Sequence, residues 1–381
     1  MPWNKEIVMS KEEFLIEVLK GTQSFSENCK KFNISRKTGY KWLNRYKIDG
    51  ASGLIDDSKR PLVSPLRTSD ENIELILATR DKFKAWGGRK LRQYLINEGI
   101  TNIPCERTFN RILKTHEKIT PEDSEKSAPW IRFERETPND LWQMDFKGHF
   151  KIDIGRCHPL TIIDDHSRYS ICIKACLSEN GENVKKILEE AFRCYGLPNG
   201  MTMDNGSPWK GSYPFKLSKL TIWLMRLGIK VGHSRPRHPQ TQGKLERFHQ
   251  SLKKEVLHFY QFKDLEDTQS RFDEWREVYN NLRPHEGINL KCPKDRYVVS
   301  TRKFPEKLDP IEYLEGDLVR KVGTGGTVNF FGKAYYLGEY LGGEYIGARY
   351  VDEGVLDIYF STTKISRINL KKEKGCCESS K

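Results

Sequence analysis

The spacing of apolar residues changes part-way along the chain, and that change limits the folds open to it. Up to His116 they recur at helical intervals. Beyond a polar stretch at 119–128 they alternate, as in Leu141-Trp142-Gln143-Met144-Asp145-Phe146. This predicts helical units followed by a sheet-containing body, and 381 residues suit several domains rather than one core.

Among the first residues, Ser10 with Glu13 reads as a capping box opening a helix whose Phe14, Leu15, Val18 and Leu19 form one apolar stripe. A short helix is expected over 26–32, and Ser35 can cap a third over 36–48, ended by Gly50. Such a helix-turn-helix docks through Tyr40, Trp42 and Leu43, leaving Arg36, Lys37, Lys41 and Arg45 for a DNA groove. A small bundle with a solvated basic face accounts for the same residues. Prolines mark 59–65 as a linker. Ser69 or Thr68 then caps a helix to about Lys84, Gly87-Gly88 turns the chain, and helices over 89–98 and 105–116 complete a second unit. The domains so drawn are 1–60 and 61–127, the second including its linker.

For 128–300 the expected order is strands at 141–152, 158–164 and 169–176, a helix near 182–195, strands ending at Asp204 and over 229–233, and helices at 242–259 and 265–282. Three strands in hairpin order, then alternating helix and strand, predict a mixed five-stranded sheet flanked by helices, a ribonuclease H-like α/β core. A connector at 293–310 precedes β-prone runs at 318–322, 327–331 and 356–360, for which a small β-barrel over 301–370 is the economical reading. Residues 371–381 are expected to be a disordered tail.

Lys plus Arg number 65 against 52 Asp plus Glu, a balance of +13 that favours a polyanionic partner. No apolar run approaches the ~18 residues that span a bilayer, and Met1 to Glu6 is too polar for a signal peptide, so a cytoplasmic protein without a membrane partner is expected. Nine scattered cysteines form neither a disulfide framework nor a zinc-ribbon spacing.

Three acids carry the candidate chemistry. Asp145 lies on the polar side of its strand, opposite Trp142, Met144 and Phe146. Asp204 ends a strand before Asn205-Gly206, and Glu246 opens a strongly basic helix. Singly they read as a solvated carboxylate, a turn residue and a surface charge. Together, two strand ends and a helix start can aim three hard oxygen ligands at one point, as two Mg2+ ions about 3.5–4 Å apart require, with Mn2+ able to substitute. Asp145 would bridge both ions, and Asp204 and Glu246 would each complete one site. No nucleophilic side chain and no small-molecule substrate are called for. Glu246, His249, Gln250 and Lys253 share a helix face by their spacing, and Arg235 and Arg237 sit in a proline-stiffened loop. With Lys244 and Arg247 these basic and amide groups are the candidates for DNA phosphate. Asp164 and Asp165 are expected to close a hairpin, and Asp153 and Glu255 to be plain surface charges.

At these residues the chain resembles the DDE transposases of the retroviral-integrase superfamily, most closely the insertion-sequence-481-like bacterial transposases. The blocks that carry the resemblance are Arg132-Phe133-Glu134-Arg135, Pro138 to Gly148 around Asp145, Ile163-Asp164-Asp165-His166-Ser167-Arg168-Tyr169 and Asp204-Asn205-Gly206-Ser207-Pro208-Trp209. They continue through His233 to Pro236, His238 to Lys244, Glu246-Arg247-Phe248-His249 and Tyr279 to Glu286. Residues 34–43 also resemble that family's helix-turn-helix. The resemblance implies that Asp145, Asp204 and Glu246 are the catalytic and metal-binding triad, with Lys253 as its basic partner. It implies a transposase that binds the terminal inverted repeats of an insertion sequence, cuts at the element ends and joins the 3′-hydroxyls to target DNA. The partners are then double-stranded DNA and further copies of the chain, in a bacterial, nucleoid-associated setting. The rival readings are a non-catalytic or domesticated DNA-binding regulator, and a ribonuclease H-like nuclease without strand transfer. Asp204 and Glu246 are further apart than is typical of retroviral integrases, with 209–223 as the place for the extra loop. The first histidine is His116, so the N-terminal His-His-Cys-Cys zinc module of those integrases is not expected among these residues.

Overall fold

A computed structural model of the chain describes residues 3–56, 67–119, 134–204, 206, 209, 217–233, 243–371 and 377–379, with backbone alone at 3–9 and 377–379. The linker at 59–65, most of the polar stretch at 119–128, and Arg235 and Arg237 lie outside the described residues. The chain divides into two compact units, Met1–Arg67 and Thr68–Lys381.

The first unit holds α1 (Trp3–Lys20), α2 (Phe25–Lys31) and α3 (Arg36–Asp49). Helix α1 starts at Trp3, so Ser10 lies inside it and is not its cap. The capping box belongs instead to α2, where Ser24 and Glu27 exchange backbone bonds. Ser35 caps α3 by accepting from the amide of Thr38. Phe14, Leu15, Cys29 and Leu54 form the core, with Trp42 and Leu43 packed against it. Leu19 stays 60% exposed because it falls off the stripe that faces α2 and α3. Tyr40 stacks on Phe25 at 4.1 Å while remaining largely outside. Gly39 sits at the α2–α3 contact, where a Cβ would come within 2.9 Å of the Cys29 sulfur.

In the second unit, α4 (Asp70–Lys82), α5 (Gly88–Asn97) and α6 (Glu106–Thr115) enclose Ile76, Trp86, Leu91, Leu95, Phe109 and Leu113. This cluster includes Val278 and Leu282 of α10 (Leu265–Asn281) and its C-cap, so the helical module shares a core with the body behind it.

The central sheet runs β4-β3-β1-β5-β6, from Ser170–Cys176, Gly155–Asp164, Trp142–Phe146, Gly200–Met203 and Lys230–His233. The first three pair antiparallel, whereas β1–β5 and β5–β6 are parallel. A sixth strand, β2 (Phe150–Ile152), continues β1 along the same edge of β3. One strand over 141–152 was expected; Gly148, at φ +82°, breaks it in two. Trp142, Met144 and Phe146 are buried on one face beneath α7 (Gly181–Tyr195) and α8 (Lys219–Arg226). On the other face α9 (Gly243–Leu252) and α10 cover Ile163 and Ile173 through Leu245, Phe248, Leu252, Phe272 and Trp275. Because both faces are covered, Gln143 is only 2% exposed and the polar side of β1 is interior. Mixed pairing with helices on both faces is the ribonuclease H-like core the alternation predicts.

Residues 293–310 are a packed strap rather than a loose connector. Arg302 donates to the carbonyls of Pro198, Leu227 and Gly228, and Tyr297, Phe304 and Leu308 join the core under α7 and α8. Beyond it lie two antiparallel sheets. One is ordered β13-β12-β11-β10-β7, from Cys377–Ser379, Thr363–Asn369, Val355–Phe360, Tyr345–Asp352 and Leu318–Lys321; the other joins β8 (Thr327–Phe330) to β9 (Lys333–Tyr336). Among the described residues no ladder closes the five strands into a ring. Ile222 and Met225, on the outer side of α8, enter the core of these sheets. Cys377–Ser379 pair with β12, so part of the tail expected to be disordered is ordered by backbone bonding at a sheet edge. No helix among the described residues is long and apolar enough to cross a membrane.

Candidate active site

Asp145 is the fourth residue of β1, and Asp204 follows the last residue of β5. These strands are parallel neighbours, so the two acids stand side by side at their carboxyl ends. Burial pushes the Asp145 carboxyl up to about 7, the Asp204 charge adds to the effect, and Glu179 and Glu246 contribute less. Asp204 is shaped by its turn: Oδ1 accepts from the amide of Gly206 at 2.8 Å, and its carbonyl oxygen lies 3.0 Å from Nδ1 of His233.

Glu246 lies in the first turn of α9 with its carboxylate exposed. Among the described residues no three His, Cys, Asp or Glu side chains come together closely enough to hold a metal ion. The structure therefore joins Asp145 with Asp204, and Glu246 reaches them only through the field it exerts on Asp145. In donor chemistry the set still fits a hard divalent cation, because all three are carboxylates and Asp145 and Asp204 crowd like charge where a cation relieves it.

The expected phosphate contacts divide. Arg247, Gln250 and Lys253 are exposed on α9 and the turn after it, and Arg36, Lys37 and Lys41 are exposed on α3. Arg45 is engaged by Asp56 at 3.0 Å. His249, expected on the same face as Glu246, points inward to Thr161. Lys244 also turns inward, its ammonium bonded to Asp165, whose side chain is 3% exposed. Asp165 further accepts from the amide of Arg135 at 2.9 Å and from Gln143 at 2.7 Å. Its neighbour Asp164 accepts from the amides of Asn139 and Ser167 and from the Ser167 hydroxyl. Asp164 thus closes the β3–β4 turn, as expected, whereas the Asp165 carboxylate ties that turn to Arg135, Gln143 and Lys244. Lys147 was not singled out by sequence reasoning, yet burial and neighbouring Lys253 pull its ammonium below the ordinary range. Its place two residues after Asp145 was the available signal.

Glu255 is not a surface charge. It is buried with Arg283, which donates to it at 2.8 Å, and it accepts from the Trp275 indole at 2.9 Å. These bonds tie α10 to a π turn at Lys253–Leu257, the element that presents Lys253.

Two outcomes are expected here. Lys244→Gln should cost about 1–3 kcal/mol in urea unfolding, because Asp165 loses a bonded partner, while leaving the salt dependence of DNA binding unchanged. Lys253→Gln should instead lower that salt slope by about one. An equal slope change in both variants contradicts the inward role of Lys244. Second, burial holds two histidines neutral: His249, pushed down to about 3 with Lys147 adding to the effect, and His285, far below its ordinary value with Arg283 beside it. The unfolded chain protonates them near pH 6.5 and the folded chain does not. Their contribution to stability is therefore complete above that pH and lost as pH falls toward 3. The urea midpoint should decline across this window, less steeply in His249→Gln; equal slopes contradict it.

The chain is similar to several known proteins and domain families. Residues 135–239 and 227–293 match the integrase core domain, residues 10–61 match a helix-turn-helix domain, and residues 38–113 match a homeodomain-like domain. An uncharacterized 39.2 kDa protein of insertion element IS476 from Xanthomonas euvesicatoria is 29% identical over 43% of this chain and 46% of its own length. A 31.7 kDa protein of insertion element IS407 from Burkholderia multivorans is 25% identical over 55% of its length, so the chain spans about half of these two relatives. The transposase for transposon Tn552 of Staphylococcus aureus is 25% identical over 84% of this chain and 75% of its own. A solved magnesium complex of the HTLV-2 integrase catalytic core covers 42% of this chain and 97% of that one, at 17% identity and a TM-score of 0.33.

Proposed function

We propose that this chain, a member of the transposase and integrase family with helix-turn-helix domains ahead of an integrase core domain, cuts DNA at the ends of a mobile element and joins the freed 3′-hydroxyls to target DNA. The observation that carries this reading is the pairing of Asp145 and Asp204 at the ends of adjacent parallel strands, with Asp145 pushed up to about 7. Integrase core domains work with divalent metals. Asp145, Asp204 and Glu246 would hold two Mg2+ ions, or Mn2+ in their place, which supply activation of the attacking oxygen and stabilisation of the leaving oxygen.

The remaining roles belong to the chain itself. Asp145 would serve as a ligand in its carboxylate form, which a cation held beside it would favour near neutral pH. Lys253, with Lys147 behind it, offers positive charge to the phosphates beside the reacting one. Arg36, Lys37 and Lys41 on α3 would grip the inverted repeats, and Arg247 and Gln250 the backbone near the cut. Arg235 and Arg237 belong to the same proposal on sequence grounds. Two ends cut in concert call for at least two protomers on DNA.

The test is a duplex carrying the element's end sequence, incubated with Mg2+ and a target plasmid, with joined product scored on a gel. Joined product supports the proposal. Cleavage without joining points to a nuclease, and binding without cleavage to a regulator; either outcome overturns it.

A further inference from the structure

Helix α9 is held against the sheet by apolar contacts of Leu245, Phe248 and Leu252, which resist separation but leave sliding and rotation weakly opposed. Among the directional contacts of α9, Lys244 bonds Asp165 in the β3–β4 turn and Ser251 accepts from Arg283, while a third reaches the strand pair that carries Asp145. Thr161 on β3 is the register partner of Asp145 on β1, and its hydroxyl donates to the Asp145 carbonyl oxygen at 3.0 Å. The same hydroxyl oxygen lies 2.7 Å from Nε2 of His249, one turn along α9 from Glu246. A carbonyl oxygen can only accept, so both contacts are hydrogen bonds in one assignment alone, with the single Thr161 proton on the Asp145 side. In that assignment the Thr161 oxygen offers lone pairs to the ring, which donates from Nε2.

We propose that His249 is a positioning residue: as a neutral Nε2–H donor to Thr161, it fixes the helix carrying Glu246 at the level of the strand carrying Asp145. The role rests on the reading of Asp145, Asp204 and Glu246 as one metal-binding set. Burial of the ring beside Lys147 opposes a second proton, so the ring is neutral and the tie is made by one tautomer, the one with its proton on Nε2. His249 acts through Thr161 and the backbone of Asp145, as residues that orient metal ligands do, and their loss typically costs about 10- to 100-fold in metal affinity or rate.

The experiment compares the full chain with His249→Leu, His249→Gln, Thr161→Val and the His249→Leu/Thr161→Val double variant. Gln places an amide N–H at about the reach of Nε2, Leu fills the space without a donor, and Val keeps the shape of Thr without its hydroxyl. Three quantities are read: Mn2+ affinity by electron paramagnetic resonance, single-turnover cleavage rate beside DNA affinity, and the His249 tautomer by nitrogen NMR. His249→Leu and Thr161→Val should each lower Mn2+ affinity and cleavage rate about 10- to 100-fold with DNA affinity unchanged. The double variant should be no worse than either single one, and Gln should recover most of the loss. The ring should be protonated at Nε2 near neutral pH and lose that preference in Thr161→Val. A ring protonated at Nδ1 overturns the tie. So does unchanged Mn2+ affinity in a folded His249→Leu, or a folded Gln variant as impaired as Leu. If the unaltered protein binds Mn2+ at the three acids without cutting DNA, the proposed function fails while affinity and tautomer still decide the tie. If it neither binds Mn2+ nor cuts, the reading of the acids falls and the positioning role with it.

Discussion

Replacing Asp145 with Asn is expected to lower Mg2+-dependent cleavage and joining on the order of a thousandfold or more while leaving binding to element ends intact. Asn has the shape of Asp but cannot be a charged ligand, and the proposed set has no other residue to bridge two ions. DNA binding depends on other groups, the exposed cations of α3 and α9. The fold should survive for a specific reason. In the metal-free chain burial and the Asp204 charge push the Asp145 carboxyl up to about 7, above its value in an unfolded chain. The protonated acid is therefore the form the fold favours, and the stability it contributes, complete below pH 4 or so, is lost as pH rises through 7. Asn escapes that loss. At pH 8 without metal the variant should melt no lower than the unaltered protein, and adding Mg2+ should raise the melting temperature of the unaltered protein alone. A variant that still joins ends, or that melts well below the parent at pH 8, contradicts the assignment.

The second large effect concerns stability. Arg283→Met leaves Glu255 buried without its cation, and breaking a buried pair of this kind costs about 3–5 kcal/mol. Glu255 keeps only the Trp275 indole, while Ser251, which lies 3.0 Å from Arg283, loses its donor. Urea unfolding should report the loss. The double variant Arg283→Met/Glu255→Gln, which removes both charges, should recover a substantial part of it, because the penalty lies in the stranded carboxylate rather than in missing attraction. The same variants test a link to function: the π turn at Lys253–Leu257 is anchored by Glu255, so Arg283→Met should also reduce cleavage under conditions where the protein remains folded. Unfolding energies within about 1 kcal/mol of the parent contradict a buried pair.

What the sequence disclosed and what it hid follow a physical division. Period-2 alternation in Trp142 to Phe146 shows which side chains share a face, and hairpin spacing shows which strands pair, so the order of the central sheet was legible. The placement of Asp145 and Asp204 at strand ends followed from the same pattern. Periodicity says nothing of what covers the second face, and Gln143 and Asp145 therefore read as solvent-facing when α9 and α10 bury that side. Charged residues show the same blindness. Glu255 in a basic helix looks like a surface charge until Trp275 and Arg283, twenty and twenty-eight residues later, close over it. Lys244 looks like a phosphate contact until Asp165 draws it inward, and the strap at 293–310 looks like a linker until Arg302 finds three carbonyls. Each miss is a pairing between residues distant in the chain, which local spacing does not encode. Glu246 is the intermediate case: its helix and its surface position were legible, its separation from the other two acids in the metal-free chain was not.

Crystals grown with Mn2+ and measured at an anomalous wavelength give the most direct test of the proposal that Asp145, Asp204 and Glu246 form one metal-binding set. The account predicts two Mn2+ peaks about 3.5–4 Å apart, Asp145 touching both and Asp204 and Glu246 each completing one shell. Crystals in which the protein holds Mn2+ elsewhere, or holds none at these three carboxylates with DNA bound, contradict it.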